Sequence, residues 1–138
     1  MKHNPGFLRL VGQAKQGIRE QTVAEVKARL DRGEPVHFID VREDREFAEE
    51  HARGARHLGK GIIERDIESV IPDQGAQIVL YCGGGYRSAL AAAALLQMGY
   101  SDVVSMEGGI RAWREAGYPL EQPASASGGL TCSPGQTP

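Results

Sequence analysis

The sequence predicts an α/β fold in which helices cover both faces of a parallel sheet. Three short runs rich in β-branched residues, at 36–41, 77–81 and 102–106, have the length and composition of buried strands. Segments with helical patterns separate these runs, and such alternation favours parallel strands joined by crossover helices. With 138 residues, the chain is long enough for one domain with a single sizeable core.

Two helices are predicted before the first strand. Apolar residues recur at helical spacing over 7–18, so this part of an N-terminal extension, 1–21, is expected to be an amphipathic helix. The segment TVAE at 22–25 has the pattern of a capping box, which predicts that a second helix begins there. Gly33 is expected to end that helix.

The same alternation continues through the rest of the chain. In order, we expect a helix over 43–51, a short strand over 55–58, and helices over 62–70, 88–98 and 109–117. The last 18 residues, 121–138, are rich in Pro, Gly and Ser and contain a single large aliphatic residue. They are therefore predicted to be a disordered tail.

Composition excludes several classes of function. The formal net charge of -2 argues against a nucleic-acid or anionic-membrane partner, because either would favour a basic surface. The first ten residues lack an apolar signal core, and the longest apolar run, 89–96, is too short to span a bilayer. We therefore expect a cytoplasmic protein.

The two cysteines, Cys82 and Cys132, are too few for a disulfide framework. Neither they nor the four histidines have metal-binding spacing, so His51 and His57 are interpreted as loop or core residues and no metal or cofactor is expected. Cys132 lies in the predicted tail and could reach Cys82, either to form a disulfide or to accept sulfur. The favoured interpretation is an incidental exposed thiol.

Functional residues are expected at the carboxyl edge of the sheet. Cys82 directly follows the strand 77–81, while Asp40 and Arg42 stand at the end of the strand 36–41. Parallel strands bring these ends to one edge, where sites form in open α/β sheets. Asp40 is interpreted as a structural acceptor that supports the loop or Arg42. Arg42 either binds a substrate anion or pairs with a nearby acid such as Glu43 or Glu46.

The stretch YCGGGYRS at 81–88 predicts an anion-binding loop around a nucleophile. Three glycines can take positive φ and turn backbone N–H groups inward, and the helix beginning near Ser88 points its N-terminal N–H groups the same way. Arg87 adds a fixed charge that can grip an oxyanion. In such surroundings Cys82 ionises readily and becomes a thiolate nucleophile. The residues expected to bind substrate are Gly83, Gly84, Gly85, Tyr86, Arg87, Ser88 and Arg42.

Several motifs together resemble the rhodanese domain. They are FIDVRE at 38–43, EF at 46–47, His51 with GA at 54–55, YCGGGYRSALAA at 81–92 and EGGIRAW at 107–113. The resemblance covers residues 22–120 and implies a three-layer α/β sandwich with a central, mainly parallel sheet of five strands. Trp113 is expected to pack the last helix onto the core.

The resemblance also implies sulfur transfer through a Cys82 persulfide. The thiolate would attack the outer sulfur of a small anionic donor such as thiosulfate, release sulfite, and pass the sulfur to cyanide, a thiol or a sulfur-accepting protein. Arg87 would orient the sulfonate of the donor. Because relatives that use mercaptopyruvate usually carry Thr at this position, thiosulfate-like or persulfide donors are expected. The chain departs from the rhodanese motifs at two places: Glu50 stands before His51, where the family often has Gly, and the proline common near Gly54 is replaced. Neither position lies in the 82–87 loop.

Two other functions remain open. Cysteine-dependent phosphatases and arsenate reductases also combine a cysteine, an anion-binding loop and an arginine, but their signature has five residues where this chain has four between Cys82 and Arg87. The other alternative is a sulfur carrier or protein-interaction module with little turnover. Retention of Cys82 and its loop disfavours a purely non-catalytic module.

Overall fold

The computed structural model describes residues 2–122. In chain order the elements are α1 (Pro5–Gly17), β1 (Arg19–Gln21), α2 (Val23–Asp31), β2 (Val36–Asp40), α3 (Asp44–Glu49), β3 (His51–Ala52), β4 (Arg56–His57), α4 (Ile63–Val70), β5 (Gln77–Tyr81), α5 (Tyr86–Gln97), β6 (Val103–Met106), α6 (Gly109–Glu115) and β7 (Leu120–Glu121). None of the helices within 2–122 is long and apolar enough to cross a membrane.

The centre of the fold is a parallel sheet of five strands in the order β1-β6-β5-β2-β4. Along β2, Phe38 and Ile39 point to opposite faces because side chains alternate along a strand. Ile39 belongs to a buried cluster that includes Ile67 of α4 and Leu95 of α5. Phe38 belongs to a second cluster that includes Trp113 of α6. Helices therefore cover both faces, and the predicted α/β sandwich is confirmed.

The ends of the helices follow local sequence signals. Thr22 and Glu25 form the predicted capping box, in which the Glu25 amide donates to the Thr22 hydroxyl at 3.1 Å and the Thr22 amide donates to Glu25 at 2.9 Å. Helix α5 begins at Tyr86, two residues before the predicted start, because Gly85 adopts a left-handed conformation with φ of 102° and serves as its cap. Tyr86 and Arg87 are thus part of the first helical turn.

The structure contains three strands that the sequence pattern does not predict. β1 is the polar tripeptide Arg19–Gln21, which pairs with β6 at the edge of the sheet. β3 and β7 have two residues each and form a separate antiparallel ladder. Glu121, assigned to the tail by the sequence analysis, is therefore in a strand. Residues 123–138, including Cys132, lie outside the described part of the chain.

Candidate active site

Cys82 lies at the carboxyl end of the central strand β5, on the floor of a cleft. Its exposed fraction is 1%, and its sulfur is surrounded by polar hydrogens. The amides of Gly85 and Ser88 donate to Sγ at 3.1 and 3.4 Å, and the Ser88 hydroxyl lies 3.5 Å away. Sheet topology therefore places the cysteine, the inward amides and the start of α5 at one point.

The first turn of α6 fixes the conformation of this loop. The amide of Ile110 donates to the Cys82 carbonyl at 2.8 Å, and the amide of Arg111 donates to the Gly83 carbonyl at 3.2 Å. Gly109, with φ of 58°, makes this approach possible, since a Cβ there would come within 2.4 Å of the Cys82 carbonyl oxygen. The carbonyls of the loop are held by α6, which leaves its amides free to face the sulfur.

The surroundings of Cys82 favour its thiolate. Burial raises the pKa of the thiol, but hydrogen bonds from the Ser88 hydroxyl and from the amides of Ser88, Gly85 and Gly84 outweigh burial, so the pKa is lowered. The hydroxyl of Ser88 also lies 2.8 Å from that of Ser105, and both serines are fully buried. When the Ser105 hydroxyl donates to Ser88, the Ser88 proton is left to point at the sulfur.

Arg87 lies beside the loop and is paired with an acid. Its Nη1 and Nη2 atoms lie 2.9 and 3.3 Å from the two carboxylate oxygens of Glu46 on α3. This pair lowers the pKa of Glu46, mainly through the hydrogen bond from Arg87. The guanidinium also approaches the loop, because a Cβ on Gly83 would lie 3.2 Å from Nη2. Glu46 thus occupies one edge of the Arg87 guanidinium, the group expected from the sequence to bind the donor.

Arg42 does not reach the cleft. It is buried, its guanidinium binds Asp40 with a shortest distance of 2.8 Å, and it also donates to the carbonyl of Glu50 at 2.7 Å. The amide of Arg42 donates to the same Asp40 carboxylate at 2.9 Å, so the turn after β2 folds the side chain back onto Asp40. Its partner is Asp40 rather than Glu43 or Glu46, and Asp40 supports Arg42 rather than the loop.

The cleft has a volume of about 810 Å³ and includes residues that the sequence analysis does not identify. The His3 ring packs on Tyr86 and on Phe7, with centroids 4.7 and 5.2 Å apart, so the N-terminal extension forms one wall. No local motif marks His3 or Phe7, because their position in the cleft depends on the packing of α1 against α5. The lining residues are Lys2, His3, Asn4, Phe7, Glu43, Arg45, Glu46, Cys82, Gly83, Gly84, Tyr86, Arg87 and Arg111.

The fold and the cleft together define a class of protein. A cysteine with a lowered pKa sits beneath inward amides and the start of a helix, at the carboxyl edge of a parallel sheet. This arrangement is typical of enzymes in which a thiolate attacks an anionic substrate.

Comparison with known proteins identifies the family within this class. The family model of the rhodanese-like domain matches residues 22–116. The chain is 35% identical to thiosulfate sulfurtransferase GlpE of Pseudomonas aeruginosa, over 73% of this chain and 89% of GlpE. It is 36% identical to the probable adenylyltransferase/sulfurtransferase MoeZ of Mycobacterium tuberculosis, over 77% of this chain but 28% of MoeZ. The chain belongs to the rhodanese family of sulfurtransferases.

A solved structure extends the comparison. A protein of unknown function from Rhodopseudomonas palustris, described as a possible tyrosine phosphatase, superimposes with a TM-score of 0.78 at 31% identity. The match covers 88% of this chain and 98% of that protein. Its coverage exceeds that of the family model, so the likeness extends beyond the residues of the rhodanese-like domain.

Proposed function

We propose that this protein transfers sulfane sulfur from thiosulfate or a persulfide donor to a thiol or cyanide through a persulfide on Cys82. The observation that carries the proposal is the set of donors around the sulfur. Amides at 3.1 and 3.4 Å and a hydroxyl at 3.5 Å stabilise negative charge at the position where thiolate and persulfide must form. The similarity to thiosulfate sulfurtransferase GlpE supports the choice of donor.

In the first step, the Cys82 thiolate attacks the outer sulfur of thiosulfate. A new sulfur–sulfur bond forms, the bond between the two donor sulfurs breaks, and sulfite leaves with its electron pair. The terminal sulfur of the resulting persulfide is anionic. The inward amides of the loop can hold this atom as they hold the thiolate.

In the second step, an acceptor removes the terminal sulfur. Cyanide or an acceptor thiolate attacks that atom, and Cys82 leaves as the thiolate that the loop stabilises. The enzyme returns to its starting state with no oxidant or reductant consumed beyond the two substrates. This sequence is a ping-pong reaction with one covalent intermediate.

Arg87 is proposed to orient the sulfonate of the donor. Nη1 and Nη2 already bind Glu46, so the sulfonate must use the remaining N–H groups or displace the carboxylate. Close approach of the guanidinium to Gly83 supports a contact with an anion on the loop. Arg42 has no part in this proposal, because Asp40 holds it away from the cleft.

The acceptor in cells is proposed to be a small thiol or a thiol of a partner protein, and the reaction is proposed to be cytoplasmic. The similarity to one region of the probable adenylyltransferase/sulfurtransferase MoeZ supports sulfur transfer as the reaction of this domain. Low turnover with thiosulfate and cyanide, combined with fast transfer to a protein thiol, would identify a sulfur carrier.

Phosphatase activity is the second candidate, since the Rhodopseudomonas palustris neighbour is described as a possible tyrosine phosphatase. Four residues separate Cys82 from Arg87, which makes a smaller cup than the five-residue signature of cysteine-dependent phosphatases. We therefore favour sulfur transfer.

A thiosulfate:cyanide assay run beside an aryl-phosphate assay decides between the two activities. Thiocyanate formation that requires Cys82, with no aryl-phosphate hydrolysis, is the expected result. Hydrolysis that requires Cys82, without thiocyanate formation, would overturn the proposal. The matched variant for both assays is Cys82→Ser.

A further inference from the structure

The backbone of Arg111 is fixed beside the active-site loop. Its backbone amide donates to the Gly83 carbonyl at 3.2 Å, which attaches its Cα to the loop through the first turn of α6. Its guanidinium nitrogens lie 3.7 and 3.8 Å from the place that a Cβ on Gly84 would occupy. The amide of Gly84 is one of the groups that lower the pKa of Cys82. Arg111 is therefore beside the part of the loop that faces the sulfur.

The guanidinium of Arg111 has no carboxylate partner within residues 2–122. It is exposed, and neither a hydrogen bond nor an ion pair involves its side chain in this part of the chain. Arg87, which approaches the neighbouring Gly83, is bound by Glu46 through two nitrogens. Of the two arginines that approach the loop glycines, Arg111 is the one whose guanidinium lines the cleft without a carboxylate partner among residues 2–122.

The surroundings of Arg111 strengthen its attraction for anions. Two further cations of the cleft, Lys2 and Arg45, have no ion-pair partner among residues 2–122. They come from the N-terminal segment and α3, so three unpaired cations on separate elements line one cavity. The cleft contains two carboxylates, Glu43 and Glu46, and the second is engaged by Arg87. Positive charge is thus in excess in this cleft, although the chain carries a net charge of -2.

We propose that Arg111 anchors the sulfonate of the sulfur donor and so determines the affinity of the enzyme for anionic donors. This inference rests on the proposed sulfur transfer and adds a second arginine to it. In this arrangement the sulfonate of the donor lies between the guanidinium groups of Arg87, beside Gly83, and Arg111, beside Gly84. The outer sulfur of the donor then points at Cys82. Lys2 and Arg45 contribute to the field that attracts the donor without fixed hydrogen bonds to it.

Single-turnover formation of the persulfide tests this role. The wild-type chain, Arg111→Ala, Arg111→Lys and Arg114→Ala are mixed with increasing thiosulfate and quenched, and the added sulfur is measured by intact mass. Arg114 is the matched control, because it lies on the same helix but pairs with Glu50 at 2.7 Å and does not line the cleft.

Loss of Arg111 removes a charge-assisted contact, so the half-saturating thiosulfate concentration is expected to rise about tenfold in Arg111→Ala. The maximal rate is expected to stay within about twofold, since the thiolate is unchanged. Arg111→Lys is expected to recover part of the affinity, and Arg114→Ala to match the wild type. Equal half-saturation in Arg111→Ala and the wild type would overturn the inference and leave the proposed function standing.

A second measurement keeps the two proposals separate. Alkylation of Cys82 by iodoacetamide is followed with and without inorganic sulfate, which is expected to protect the wild type and Arg114→Ala but not Arg111→Ala. If the wild type forms no persulfide, the proposed function fails. The sulfate result then still decides whether Arg111 is an anion anchor, because equal protection of all variants would refute it.

Discussion

Replacing Ser88 by Ala tests how the loop ionises Cys82. The Ser88 hydroxyl lies 3.5 Å from Sγ and opposes the effect of burial on the thiol pKa. A hydrogen bond to a charged group contributes about 1.5–3 kcal/mol, and a separation of 3.5 Å favours the lower end. The substitution keeps the backbone donors of Gly85 and residue 88, so we expect Ser88→Ala to lose roughly 1.5 kcal/mol of thiolate stabilisation and to have a higher thiol pKa.

The rate of alkylation by iodoacetamide as a function of pH measures this change. Because the thiolate reacts, the rate falls as pH drops through the thiol pKa, and in Ser88→Ala the fall is expected to begin at higher pH. Below the pKa, the rate is expected to be about tenfold lower than in the wild type at the same pH. Ser101→Ala is the control, since the Ser101 hydroxyl is exposed and, among residues 2–122, bonds only to the Gln74 carbonyl, at 3.4 Å.

The same substitution leaves the fully buried Ser105 hydroxyl without its partner. We expect a decrease of about 1–3 kcal/mol in the free energy of unfolding, measured with urea, so alkylation is followed only where the variant is folded. If the folded Ser88→Ala protein and the wild type have superimposable pH profiles, the hydroxyl makes no contribution to ionisation. That result would refute the reasoning on the thiolate.

Four other substitutions test separate parts of the structure. Gly109→Ala forces a Cβ into the loop carbonyls at a position with φ of 58°, so we expect it to reduce both the stability of the fold and the formation of the persulfide. In contrast, a Cβ added at Gly12 in α1 meets nothing within 4 Å, so we expect Gly12→Ala to increase the free energy of unfolding in urea by up to about 1 kcal/mol. Arg42→Ala leaves the buried Asp40 carboxylate without its guanidinium, which should cost about 3–5 kcal/mol in the same measurement; a loss below about 1 kcal/mol would contradict the buried pair. Arg87→Ala should raise KM for thiosulfate by the equivalent of roughly 1–3 kcal/mol, and an unchanged KM would remove Arg87 from donor binding.

The sequence contains enough local information for the central elements of the fold. The segment 77–81, which contains β-branched residues, predicts the bounds of β5 correctly, and the TVAE pattern at 22–25 predicts the capping box of α2. The short strands β1, β3 and β7 have two or three residues, too few for a periodic pattern. They form because tertiary packing brings their backbones beside another strand.

The residues of the site likewise include some that the sequence predicts and some that it does not. Cys82 and its glycines are adjacent in sequence, so their loop is predictable from a single motif. The ion-pair partner of Arg42 is not predictable in this way. Arg42 pairs with Asp40 rather than Glu46 because the turn after β2 folds its side chain back onto Asp40. The N-terminal wall and Arg111 are brought to the cleft by packing between elements, and the only local signal for Arg111 is the Gly108–Gly109 turn before it.

Intact mass spectrometry of the full chain after incubation with thiosulfate is the most direct test of Cys82 as the atom that stores sulfur. After removal of excess donor, the wild-type chain should gain one sulfur atom, and brief treatment with cyanide should release it as thiocyanate. Cys82→Ser should gain none. A wild-type chain that gains no sulfur, or an equal gain in Cys82→Ser, would contradict the account.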